Sequence, residues 1–306
     1  MAAPDPGLVA QWTADQLRQA ALARFDDDDD LPFAAARAST TTLLPRAHPL
    51  APTVHREDVD RLDVAGLDTV AGVDISFRDR SGDEGVAVLA VLSFTELKLV
   101  ASFSRTVSLA STPYVHSYLS FREAHFFVDL VDELRRTRPD VPVPQVLFVD
   151  GNGRWHPRQA GSAVAVGVET GLPTVGIAKE FHPLHSPSLD STSSSHSSPN
   201  DPPPFPTDYL TSQRGMRAAC QALLQQRGDW LGLARPSSTE HWGAALLSSP
   251  SRNAQNPIFV SPGHRLSLET SVRLALACTR EGKIPEPVRV ADRLGREEAR
   301  KLWPRG

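Results

Sequence analysis

The clearest apolar pattern in the chain is the run Val146-Leu-Phe-Val149, which ends on Asp150 and is followed by Gly151 and Gly153. The run is short, β-branched or aromatic, and stopped by turn residues, so it predicts a buried strand over 145–150. Similar runs predict strands at 71–77, 85–95, 97–107, 172–178, 242–248 and 257–261. Short polar turns join the first three, as in antiparallel hairpins. Helical spacing takes over at 121–138, where Phe127, Leu130, Val131 and Leu134 share one face. A helix is predicted at 11–24, with Thr13 as N-cap and Gln16 at capping-box spacing. Others are predicted at 161–170, at 267–280 with Ser267 as N-cap, and within 285–302 from Val290 onward. Two stretches break the pattern. Residues 26–53 hold an Asp run, a Thr cluster and prolines, and read as an irregular connection with a weak helix at 33–37. Residues 181–207 are mostly Ser, Pro and His, too poor in apolar surface to offset ordering entropy. They read as a disordered insertion within a single domain spanning 1–306.

The order of strands and helices is that of an α/β protein. It predicts a mixed sheet, three antiparallel strands followed by parallel ones, flanked by helices. The arrangement resembles the ribonuclease H-like fold, in which the first and fourth strands lie side by side. That likeness would put Asp74, in Ala71-Gly-Val-Asp-Ile-Ser-Phe77, next to Asp150. Asp150 would stand at the C-terminal end of its strand, where open α/β sheets place their chemistry.

Composition changes this picture little. Hydrophobic residues make up 40% and charged residues 22%, ordinary for a globular chain. No apolar run approaches the roughly 18 residues of a membrane span. The first residues lack a basic region followed by an apolar core, so no secretory signal is expected. Cys220 and Cys278 sit in amphipathic helical patterns and read as half-buried thiols of a reduced protein, cytoplasmic or nuclear. No Cys or His pair has zinc-ligand spacing. Net charge is −4, but setting aside the five aspartates of 26–30 as a solvated tether leaves +1. A near-neutral protein that binds phosphates needs a local basic patch, a bound cation or both.

Two carboxylates held together repel, and a divalent cation between them is the usual remedy. Hard oxygen donors suit Mg²⁺ or Mn²⁺, which ligate phosphate oxygens and acidify water. Glu123 is a third candidate, although Ser120-Phe-Arg-Glu123 also has capping-box spacing. Asp292 equally fits a first-turn aspartate favoured by the helix dipole. Lys179 ends a buried strand and suits either a phosphate or an ion pair with Asp150 or Glu123. His264 reads as a hydrogen-bonded loop histidine. Tyr114, after a proline, suits stacking beside a base or covering a core.

Taken together, five stretches resemble the endonuclease V family. They are 71–77, 113–123, 150–179, 259–269 and 284–292, and Gln11-Trp12 with Gln16 resembles the family's first helix. The likeness covers most of the chain, except the acidic connection and the Ser/Pro-rich insertion. It implies Mg²⁺-dependent cleavage, with Mn²⁺ able to substitute, at the second phosphodiester 3′ of inosine. The ends would be a 3′-hydroxyl and a 5′-phosphate. It implies Asp74, Glu123, Asp150 and Asp292 as metal ligands, and Lys179 as a contact to the scissile phosphate or attacking water. Tyr114 would be a wedge filling the space of the displaced base. Leu119, Gly151, Gly161 and Ala178 would line a hypoxanthine pocket, together with Ser117, where the family usually has glycine. His116, Gln159-Ala160 and Ala165 also depart from the family pattern. Hypoxanthine presents O6 as acceptor and N1–H as donor, the reverse of adenine, so backbone groups approached past small side chains can tell them apart. The insertion and acidic run look eukaryotic, fungal-like, which favours single-stranded RNA over DNA as substrate. A monomer is expected. Two other readings stand beside this one: a structure-selective or RNA–DNA hybrid nuclease with relaxed base selectivity, and a non-catalytic nucleic-acid-binding scaffold.

Overall fold

The computed structural model describes residues 5–33, 42–44, 52–59, 64–184, 209–235, 240–251 and 256–304. α1 (Pro6–Leu22) starts ahead of its expected boundary, because Asp5 accepts from the Gly7 N–H and Pro6 is preset for the first turn. Thr13 is therefore interior. Its hydroxyl bonds back to Val9 O and meets the Tyr118 hydroxyl at 2.7 Å. The acidic run that follows has irregular backbone, yet it is no tether. Asp27 accepts from the Ser267 N–H and from the hydroxyls of Ser267 and Thr270. Asp28 and Asp30 both pair with Arg265. Unsatisfied N–H groups at a helix start attract carboxylates, and here that attraction outweighs their mutual repulsion. The weak helix expected at 33–37 lies outside the described residues apart from Phe33.

A short strand, β1 (Thr42–Leu43), lies where an irregular connection was expected to run, and it pairs with β2 (Val54–Arg56) just past that stretch. β3 (Thr69–Phe77), β4 (Glu84–Ser93) and β5 (Leu99–Ser108) follow as antiparallel neighbours. α2 (Ser120–Thr137), β6 (Val146–Asp150), α3 (Ser162–Thr170) and β7 (Thr174–Ala178) lie close to their expected bounds. α4 (Gln213–Leu223) carries the helical pattern read around Cys220, and β8 (Asp229–Ala234) is an addition. The buried face of α4, Met216, Ala219, Cys220 and Leu223, is set among Arg and Gln, and Gly232 interrupts β8. β9 (His241–Leu246), β10 (Ile258–His264), α5 (Leu268–Ala277) and α6 (Glu286–Leu302) complete the fold. Ser267 caps α5 as expected. α6 begins before Val290, since Pro287 fits a helix's first turn. Both cysteines are fully buried rather than half-buried. Among the described residues no helix is long and apolar enough to cross a membrane.

The strands form one sheet in the order β1-β2-β8-β9-β10-β7-β6-β3-β4-β5. Parallel pairing joins β3 to β6 and β6 to β7, strands linked by helices. β8, β9 and β10 instead run antiparallel to their neighbours, contrary to the expectation of further parallel strands. Their links are shorter than a crossover helix needs. α2 and α3 cover one face, with Phe127, Leu130 and Leu134 packed against Val73, Leu89 and Val149. α5 and α6 cover the other, with Val272, Val288 and Ala291 against Val70, Val88 and Phe148. α6 lies so close to β3 that a Cβ on Gly72 would meet Pro287 O at 2.1 Å. Strand side chains alternate, so Gly72, Asp74 and Ser76 share the α6 side. Ser76 Oγ donates to Asp292 O at 3.3 Å.

Candidate functional site

The parallel register of β3 and β6 sets Val73 opposite Val149. One residue further, Asp74 and Asp150 stand side by side on neighbouring strands. Asp74 is buried and Asp150 partly exposed. Burial, then Asp150, hold the Asp74 carboxyl well above the ordinary range, with Lys179 opposing them. A buried carboxyl beside a second carboxylate behaves this way. Lys179, just past β7, reaches Asp150 at 2.5 Å. Burial works to lower its pKa, but Asp150, Asp74 and Asp292 outweigh burial and the net shift is upward. It therefore carries a charge at neutral pH.

Glu123 enters from the first turn of α2. The capping-box alternative does not hold: Leu119 is the N-cap and no side chain caps this helix. Ser120 Oγ is buried with no hydrogen-bond partner among the described residues. Glu123 is itself buried, and burial, then Asp150, push its carboxyl up to about 8 while Arg122 opposes them. Asp292 is not a first-turn residue of α6; that place belongs to Glu286. It pairs with Arg296 at 2.9 Å and is near enough to push the Asp74 pKa upward.

Except for Asp292, every residue expected at the site lines one cavity of about 340 Å³, a size within the range of roughly 300–1,000 Å³ common for ligand sites. These are Asp74, Glu123, Asp150 and Lys179 with Tyr114, Ser117, Leu119, Gly151, Gly161 and Ala178. Tyr114 is 57% exposed, with the Arg122 guanidinium 6.0 Å from its ring centroid. Gly151 adopts φ +149°, a conformation that side-chain-bearing residues avoid. Ser117 at +65° and Gln159 at +54° also occupy left-handed backbone. Ser117 stands where the resemblance implies glycine, so this departure carries a side chain into glycine geometry. A larger cavity of about 660 Å³, which includes Phe94, Arg227 and Arg280, shares no residue with this one.

Sequence reasoning missed Trp155, His156 and His182, which also line the cavity. His182 lies in the stretch expected to be an insertion, yet that stretch begins packed. Phe181 is buried against Trp155 and Phe259, and Trp155 Nε1 donates to His182 O at 2.9 Å. Phe181 and Leu184, apolar residues at the head of the Ser, Pro and His run, were the available signal. The remainder, 185–207, lies outside the described residues. His264 ends β10 rather than sitting in a loop, and its Nδ1 accepts from the Arg24 N–H.

The donor chemistry fits a hard divalent cation: carboxylate oxygens in excess, with Asp74 and Glu123 buried beside Asp150. The set is not a finished cage. Among the described residues no group of three or more acidic, His or Cys side chains is arranged to hold an ion. Lys179 occupies Asp150, and Arg296 occupies Asp292.

Residues 49–293 match the family profile described as Endonuclease V. Human Endonuclease V is 41% identical over 237 residues, 78% of this chain and 73% of that one. The mouse protein is 39% identical over 237 residues, 78% of this chain and 61% of that one. The solved catalytic domain of human Endonuclease V matches with a TM-score of 0.73 at 35% identity, over 98% of this chain and 100% of that one. Endonuclease V from Ciona intestinalis, solved with a 24mer DNA containing an inosine followed by a ribo-adenosine, matches with a TM-score of 0.70 at 26% identity. That match covers 97% of this chain and 99% of that one. These neighbours share the ribonuclease H-like fold described above. A profile match over most of the sequence and the identity to the human protein lead to one conclusion: this chain belongs to the endonuclease V family.

Proposed function

We propose that the protein is a metal-dependent endonuclease that hydrolyses the second phosphodiester 3′ of inosine in single-stranded RNA or DNA. The observation that carries this reading is the Asp74–Asp150 pair, set by strand register inside the cavity that also holds Glu123 and Lys179. Asp74, Asp150 and Glu123 are the residues that would hold Mg²⁺ or Mn²⁺. A bound cation supplies charge compensation for the phosphate and lowers the pKa of water. The chain's own groups do the rest. The Lys179 ammonium holds a phosphate oxygen beside Asp150. Glu123, its carboxyl lifted by burial and Asp150 in the metal-free protein, would be drawn to its charged form by a bound cation. Asp292, paired with Arg296, acts on the charge of Asp74 and Lys179 from α6 and would be a further ligand once that pair opens. Tyr114 fills the place of the displaced base, and Ser117, Leu119, Gly151, Gly161 and Ala178 form the wall that reads it. The base leaves its stack most easily in a single strand. The inosine-containing DNA bound by the Ciona relative supports the choice of base. We place the protein in the cytoplasm or nucleus, acting as a monomer.

The test is cleavage of matched RNA and DNA single strands, each with inosine or adenosine at one position, in Mg²⁺. The expected result is one cut at the second bond 3′ of inosine, leaving a 3′-hydroxyl and a 5′-phosphate. RNA is expected to be cut faster. Equal cutting of inosine and adenosine strands favours a nuclease of relaxed base selectivity. Inosine binding without cleavage favours a scaffold.

A further inference from the structure

Three side chains from two parts of the fold converge on the loop between β5 and α2, and the hydrolysis proposed above uses none of them. Gln16, fully buried in α1, donates through Nε2 to Ser117 O at 3.1 Å and to Ala160 O at 3.3 Å. Arg158 donates to Ser117 O at 2.8 Å, and through Nε to Gln16 Oε1 at 2.5 Å. His156 Nε2 lies 2.9 Å from Ser117 O, while its Nδ1 lies 3.3 Å from the Arg158 N–H. A carbonyl only accepts, so Nε2 carries the proton and Nδ1 is the acceptor. The ring is thus neutral, in keeping with its burial, which pulls the His156 pKa down to about 4.

Ser117 needs this support. Its φ of +65° is disfavoured for a residue with a Cβ. Such backbone persists only where its surroundings over-determine it, and three donors on one carbonyl do so. The same loop is held from a second side. Arg158 lies 4.2 Å from the Tyr118 ring centroid, and the Tyr118 hydroxyl meets Thr13 of α1.

We propose that this clamp on the Ser117 carbonyl fixes the loop at 113–119 against the cavity and thereby sets base discrimination. Gln16, His156 and Arg158 are positioning residues for recognition, not for cutting. The inference rests on the base-pocket reading above. Tyr114, Ser117 and Leu119 line the cavity from this loop, so a displaced loop moves the recognising wall. Asp74, Asp150 and Lys179 belong to β3, β6 and the end of β7 and stay in place. With its lone pairs filled, Ser117 O is not itself the acceptor that reads a base.

The test is kcat and KM on matched single strands carrying inosine or adenosine, for wild type, Arg158→Ala, His156→Leu and His156→Gln. Thermal melting establishes that each is folded. Arg158 is only partly buried, so Arg158→Ala decides the matter should His156→Leu fail to fold. The inosine-to-adenosine ratio of kcat/KM should fall about ten- to a hundredfold in Arg158→Ala and His156→Leu. The fall should come through KM, with kcat on the inosine strand changed by less than about threefold. His156→Gln offers an amide N–H in place of Nε2–H and should keep the ratio within about threefold. An unchanged ratio in folded Arg158→Ala overturns the inference and leaves the base-pocket reading intact. So does a fall in kcat alone, or a loss in His156→Gln as large as in His156→Leu. A wild type that cuts both strands equally overturns the base-pocket reading, and the clamp's role in selectivity with it.

Discussion

Replacing Glu123 by Gln should stabilise the metal-free protein at high pH while removing most of its activity. Glu123 is 7% exposed, and burial with nearby Asp150 lifts its carboxyl from 4.5 to about 8. The folded protein therefore keeps a proton that the unfolded chain releases. The stability this gives is complete below the unfolded pKa and is lost as pH rises through the folded one. The slope reaches about 1.4 kcal/mol per pH unit for one proton. Between the two pKa values the loss sums to about 5 kcal/mol, an upper value because other carboxyl groups crowd the same site. Glutamine keeps the shape and has nothing to titrate. The two proteins should thus match near pH 5, and the variant should lead by a few kcal/mol near pH 9. Urea denaturation in EDTA at both pH values reads this directly. Added Mg²⁺ should narrow the gap, since a ligand of the folded state stabilises it. A variant no more stable than wild type at pH 9, or a wild type equally stable at both pH values, would refute the reasoning.

Other expectations follow from single contacts. Asp150→Asn removes one partner of Asp74 and the ion pair of Lys179, and cleavage should fall by about 10²-fold or more; a rate within a few fold of wild type would show that the centre lies elsewhere. Gly72→Ala sets a methyl group against Pro287 O and should lower stability by about 2–3 kcal/mol, read as a drop in the urea midpoint. An unshifted midpoint would mean that α6 does not press on β3. Asp27→Ala strips the start of α5 of an acceptor for three donors and should cost about 1–2 kcal/mol with kcat unchanged. A solvated tether would show no effect on stability.

The central strands β3, β6 and β7 were legible because burial on both faces demands continuous apolar runs, and 71–77, 145–150 and 172–178 have them; β1, β2 and β8, short or broken by glycine, were not. The meeting of Asp74 with Asp150 was legible too, since helix-linked parallel strands fix which ends align. Caps were not. Capping-box spacing recurs inside helices and at site residues, so Thr13 and Glu123 both carried it without capping anything. The aspartates at 26–30 read as a tether because their partners, Arg265, Ser267 and Thr270, lie far along the chain. The clamp on Ser117 was hidden for the same reason. The glycine-to-serine departure marked the spot, but the donors that make serine tolerable come from α1 and from the turn after β6.

The β3–β6 pairing has a consequence for how the centre comes into being. Two strands and a helix separate Asp74 from Asp150 along the chain, so the pair is a non-local contact. An unfolded chain holds the two carboxylates apart and has no acidic centre. The centre therefore exists only when the middle of the sheet is paired, and a change that loosens β3 against β6 would scatter the carboxylates without touching either of them.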